Sequence, residues 1–126
     1  MKTNNIIRIP MSVDEVSRSW LIMLRPMHRL SGKSLDMATL ILDKMLALRK
    51  AGQADPDDMF ISPKSKAELK SRLGITDAYM RVIFTRLRKA GFIRPDGTVN
   101  KRFIPDIDGG DHFRFLIDFV IDERRG

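Results

Sequence analysis

Apolar residues recur along this chain at two different periods, and the change of period sets the order of the elements that it predicts. From Ser12 onward, Val13, Val16, Trp20, Met23 and Met27 fall three or four residues apart, the stripe of an amphipathic helix. Ser12 with Glu15 three residues later offers a capping box at its start. Pro26, which lacks an N–H, ends or kinks this helix near Leu24. A second helix is expected from Ser34 to about Ala51, stopped by Gly52. Leu35, Ala38, Leu42, Met45 and Leu46 form one face of it, and Leu40, Ile41 and Leu48 widen that face. Such a helix is buried on more than one side, either under the first helix or against a second copy of the chain.

Residues 53–58 read as a loop and Met59, Phe60 and Ile61 as a brief β-prone run. A third helix begins with Ser62 as cap and Pro63 inside it, or with Ser65 and Glu68 as a capping box. It buries Leu69 and Leu73 and stops at Gly74. Thr76 caps the next helix, with Asp77 at its positive end. Met80, Ile83, Phe84 and Leu87 point inward from that helix, and Ala78, Arg81, Val82, Thr85, Arg86 and Lys89 outward, until Gly91 terminates it. Phe92-Ile93 and Thr98 to Ile104 then predict a hairpin across Pro95, Asp96 and Gly97, with Arg94, Lys101 and Arg102 as its basic residues. The period falls to two at the end of the chain. Phe113, Phe115, Ile117, Phe119 and Ile121 alternate with Arg114, Leu116, Asp118, Val120 and Asp122, the strongest strand pattern present. Its apolar face calls for a sheet partner: a short strand at Asn5–Ile9, the hairpin, or a symmetry mate.

Composition narrows the classes. At 126 residues and 43% hydrophobic, the chain suits a single domain with one core. The absence of cysteine excludes disulfides, thiolate metal sites and cysteine nucleophiles. There is no signal-peptide pattern and no apolar run of membrane-spanning length, so an intracellular (cytoplasmic) protein with no membrane partner is expected. The net charge of +7 is unevenly placed. Residues 63–103 hold 11 basic and 3 acidic groups, a net +8, between two segments of net −3 at 52–62 and 104–126. That segregation tilts the reading toward a polyanion partner.

In element order and in the ungapped run Leu69, Leu73-Gly74-Ile75-Thr76, Met80, Ile83, Leu87 and Gly91-Phe92-Ile93, residues 34–104 resemble the winged helix-turn-helix superfamily. The resemblance implies an α+β fold, mainly α with a small β-sheet. Residues 34–104 would be its core, 1–33 an N-terminal strand and helix, and 112–122 a C-terminal strand. It also implies that helix 77–90 enters the DNA major groove and that a wing at about 94–102 touches backbone or minor groove. The residues so implicated are Thr76, Ala78, Tyr79, Arg81, Val82, Thr85, Arg86, Lys89, Arg94, Lys101 and Arg102. Lys70 departs from the pattern, standing where the family has a small residue; its stem is expected to run past the helix contact.

Two readings of function follow. One is a double-stranded DNA binder, a transcriptional regulator or replication-type protein, as a homo-oligomer or with a protein partner. The other is a protein-interaction or structural module in a larger assembly, such as a bacteriophage particle or replication complex. The lean reading face favours the second: it carries no Asn or Gln, and Arg81 and Arg86 alone suit a bidentate guanine contact. Catalysis has no motif behind it, and no cofactor is implied. The Asp106–Asp111 run lacks the spacing of a calcium loop, and His28 and His112 are each isolated from a second histidine.

Overall fold

The computed structural model describes residues 6–50, 63–105, 107, 113, 115–118 and 120–122. A 3-10 turn at Val13–Glu15 leads into helices α1 (Val16–Met23), α2 (Arg25–His28), α3 (Gly32–Lys50), α4 (Pro63–Leu73) and α5 (Asp77–Lys89). A second 3-10 turn follows at Lys101–Phe103.

Helix α3 is the strut of the molecule. It packs against α1, α4 and α5, and buries Leu35, Met37, Ala38, Ile41, Leu42 and Met45. The breadth of its apolar surface is therefore taken up by neighbours in the same chain. Ser34 does not open this helix. The helix starts at Gly32, in the left-handed region at φ 55°, and the Ser34 hydroxyl is buried in the first turn with no hydrogen-bond partner.

The first helix breaks where Pro26 requires it. Leu24 leaves helical geometry, and Pro26 lies in the opening turn of α2, where a missing N–H costs nothing. The buried stripe, however, is Ser17, Trp20, Leu21, Leu24 and His28, while Met23 is half-buried and Met27 exposed. Helix α1 is thus rotated from the expected stripe toward the side where α3 lies. The Ser12 side chain makes no cap bond; its carbonyl accepts the Glu15 N–H in the 3-10 turn.

The expected winged helix with a β-sheet is not what the chain forms. The structure is mostly helical, and no sheet exists among the described residues. The predicted hairpin is reduced to one antiparallel bridge, Ile93 with Val99. Asn100 ends the pairing: its side-chain oxygen accepts the Arg102 N–H at 3.2 Å and starts the helical turn that carries Phe103 into the core. Lys101 and Arg102 therefore sit on a turn, not on a wing strand. Residues 6–9 and the described part of 112–122 belong to no strand either. A period-two pattern states which side chains want burial, but a ladder also needs a neighbouring edge, and one bridge supplies none. The expected features at Asn5, residues 51–62, Asp106, residues 108–112, Arg114 and Phe119 lie outside the described residues.

Phe103 closes the core. Its carbonyl accepts the indole N–H of Trp20 at 2.9 Å, and its ring meets Phe92 and His28 at centroid distances of 5.8 and 5.9 Å. His28 is buried, with both ring nitrogens used. Nε2 lies 2.6 Å from the Leu21 carbonyl, so it carries the proton, and Nδ1 accepts the Leu30 N–H at 2.9 Å. Burial, aided by the charge of Arg25, holds the His28 pKa below the ordinary 6.5 against the opposing pull of the Leu21 carbonyl. A pKa lowered in the folded state means that the unfolded chain binds the proton first, so stability is full above about 6.5 and falls as the pH drops through the folded value. Urea midpoints should therefore decline between pH 7.5 and pH 5, and a His28→Gln variant should show a flatter profile. Trp20→Phe, which removes the donor and leaves the Phe103 carbonyl buried and unpaired, should cost about 1–3 kcal/mol in the same assay.

Candidate nucleic-acid interface

Helices α4 and α5 both pack on α3, and the three residues between them set how the chain passes from one to the other. The Ile75 N–H reaches back to the Lys70 carbonyl at 3.3 Å, and Gly74 takes φ 62°, a left-handed stop to α4 that leaves its last carbonyls satisfied. Thr76 then starts α5, its hydroxyl oxygen accepting the Tyr79 N–H at 3.1 Å. Helix α4 starts at Pro63, so Ser65 is not its cap. The Ser65 hydroxyl instead takes the Lys44 ammonium at 2.7 Å, and Lys44 also pairs with Glu68 at 3.3 Å, tying α3 to α4.

The Lys70 side chain runs from the end of α4 to the start of α5. Its ammonium hydrogen-bonds Asp77 at 2.7 Å, linking the end of α4 to the first turn of α5. That bond and the lysine's charge, with Arg81 adding, hold the Asp77 carboxyl below its ordinary value. The acid at the start of α5 is thereby paired with a cation.

The two sides of α5 divide cleanly. Met80, Ile83, Phe84 and Leu87 are buried against α3 and its neighbours. Ala78, Arg81, Val82, Thr85, Arg86, Arg88 and Lys89 are exposed, and Tyr79 is half-buried on the flank. Arg81, Arg86, Arg88 and Lys89 have no hydrogen-bonded carboxylate among the described residues. The Thr85 hydroxyl donates to the Arg81 carbonyl at 2.9 Å, so it presents a methyl group and an acceptor to the outside. Thr76 is occupied as an acceptor by its cap bond, but its O–H remains a donor.

Two further cations stand beside this face: Arg88, which the sequence reading left out, and Lys66, which it took as a surface charge. Arg88 follows Arg81 by seven residues and shares its stripe, a spacing legible in the sequence. Lys66 of α4 sits 5.3 Å from the centroid of Phe84, whose surface neighbours on α5 are Arg81 and Arg88. Only the packing of both helices on α3 brings that lysine there.

Comparison with protein-family models, with curated proteins and with solved structures finds no match to this chain. The geometry stands on its own. After α5, Gly91 at φ 81° turns the chain, and the Asn100 side-chain amide donates to the Gly91 carbonyl at 3.0 Å. The loop bearing Arg94, Lys101 and Arg102 is thus fastened to the end of α5, with Lys101 and Arg102 exposed and Arg94 half-buried. At its tip Asp96 accepts from both the hydroxyl and the N–H of Thr98, at 2.6 and 2.9 Å, which holds its carboxyl below the ordinary value. Among the described residues no group of three or more His, Cys, Asp or Glu is placed to hold a metal ion, and no helix is long and apolar enough to cross a membrane.

Thr76→Ala should lower stability by about 1 kcal/mol through loss of the cap, with Thr76→Ser near wild type, both read from urea unfolding followed by circular dichroism.

Proposed function

We propose that this protein binds double-stranded DNA by laying the outer face of α5 in the major groove, with the loop after α5 against the adjacent backbone. The observation that carries this reading is the exposed row of Arg81, Arg86, Arg88 and Lys89 on a helix whose opposite side is anchored in the core. Three of these four lie in the last turn, where cations also favour the negative end of a helix. Arg81 near the opposite end has no such explanation. Anchoring matters as much as charge, since a helix held rigidly by α3 and α4 presents its side chains without an ordering cost at the moment of binding.

Most of the affinity is expected from phosphates. If about five cations neutralise phosphates, log affinity falls against log salt with a slope of about −4.5, several-hundred-fold between roughly 50 and 200 mM. Base reading rests on Arg81 and Arg86, with Val82 and Ala78 suited to thymine methyl groups. A regulator of transcription or a replication-type binder fits this modest specificity. The protein-interaction reading draws on the same exposed Val82 and Ala78, and it predicts no salt-dependent DNA affinity.

Fluorescence anisotropy with duplex DNA at two salt concentrations tests the proposal. Arg81→Ala combined with Arg86→Ala should weaken binding roughly tenfold or more and flatten the salt slope by about 2. Absence of binding at low salt, or unchanged affinity in the double variant, would overturn it.

A further inference from the structure

The segment joining α2 to α3 holds two costs and one latch. Arg29 takes φ 55°, the left-handed region that a residue with a Cβ enters only against steric opposition; among the described residues it is the only non-glycine to do so. Further on, the Ser34 hydroxyl is buried with no hydrogen-bond partner. Opening the segment to water would relieve both. What holds it closed is the Leu30 N–H, which donates across Arg29 to His28 Nδ1 at 2.9 Å. The other ring nitrogen is fixed as a donor by the Leu21 carbonyl at 2.6 Å, so Nδ1 is where a second proton must go.

A proton there turns the acceptor into a donor aimed at the Leu30 N–H, and the latch is lost. The elements around the ring offer the imidazolium no compensation. Their charged residues are Arg18 of α1, Arg25 of α2, Arg29 and Lys33 at the joint, and Lys101 and Arg102 of the turn that lays Phe103 against His28. All six are cations; Arg18 is paired with Asp36, and Arg25 opposes a like charge on the ring. We propose that residues 28–34 form an acid-sensitive joint, which opens locally when His28 takes up a proton while the helices packed on α3 stay folded. The proposal does not depend on DNA binding: the joint contains none of the residues assigned to it.

Hydrogen exchange of single amides in the intact chain, followed by NMR and corrected for the intrinsic rate at each pH, provides the test. Protection of the Leu30 amide should fall by up to about tenfold as the pH is lowered from about 7.5 to about 5.5, the lower value lying below the ordinary histidine pKa of 6.5. Low urea should leave that protection unchanged, because a local opening exposes little surface, while protection of the buried Leu42 of α3 falls steeply with urea. His28→Gln, whose amide has a donor and an acceptor but takes up no proton, should lose the pH dependence. Ser34→Ala, which removes the unpaired hydroxyl, should raise Leu30 protection severalfold at both pH values and keep the pH dependence. A wild-type Leu30 amide that ignores pH, one that shares the urea dependence of Leu42 at both pH values, a His28→Gln variant as pH-sensitive as the wild type, or a Ser34→Ala variant with unchanged protection would each overturn the proposal.

Discussion

The hydrogen bond from the Trp20 indole to the Phe103 carbonyl spans 83 positions in sequence, and the rest of the structure is arranged around it. It joins α1 to the turn that follows α5, so the chain is closed around α3 from both ends. Neither partner has an inexpensive alternative. The indole N–H is a donor inside a buried residue, and the carbonyl belongs to a residue almost wholly removed from water. Around it the Phe103 ring meets His28 edge-on and Phe92 at a tilt, and His28 in turn holds the Leu21 carbonyl and the Leu30 N–H. A polar network satisfied at every member specifies one arrangement of the apolar groups beside it.

That closure explains how a short basic helix becomes a rigid surface. Helix α5 contributes four buried side chains to the core and has its start set by Thr76 and its end by Gly91. Its orientation is then tied to α4 by the Lys70–Asp77 bond and by Lys66 over Phe84. The same contacts shape the electrostatics, because the acid at the start of α5 is engaged while the arginines further along are hydrogen-bonded to no carboxylate among the described residues. The loop after α5 is knit by Asn100, whose amide holds Gly91 and whose oxygen starts the Lys101–Phe103 turn. One residue thereby determines both where the loop's cations sit and why it does not continue as a strand.

The helical elements were legible because their signals are local. Capping at Thr76, the stops at Gly74 and Gly91, the break at Pro26 and the inward row Met80, Ile83, Phe84 and Leu87 each depend on residues within a turn or two of one another. The outward face of α5 was legible for the same reason, as the complement of the inward row. The face of α1 was misjudged by a small rotation, because Ser17 and His28 are buried and neither announces itself as apolar. The sheet was the larger error. Alternation at 113–121 and the Pro-Asp-Gly turn at 95–97 are strand and hairpin signals, but strand formation is a property of two edges, and a local pattern describes one.

By itself, then, the order of residues determined helix positions, the ends marked by Pro26, Gly74, Thr76 and Gly91, the two-sided character of α3 and the charge of the segment holding α4 and α5. Only the tertiary structure decided which neighbours cover α3, which side of α1 turns inward, that Lys70 reaches Asp77, and that Phe103 is drawn under Trp20 instead of extending a strand. The division has a physical origin. Helix hydrogen bonds close within four residues and are dictated by nearby side chains, whereas burial, ion pairing across a turn and strand pairing depend on groups brought together by the fold.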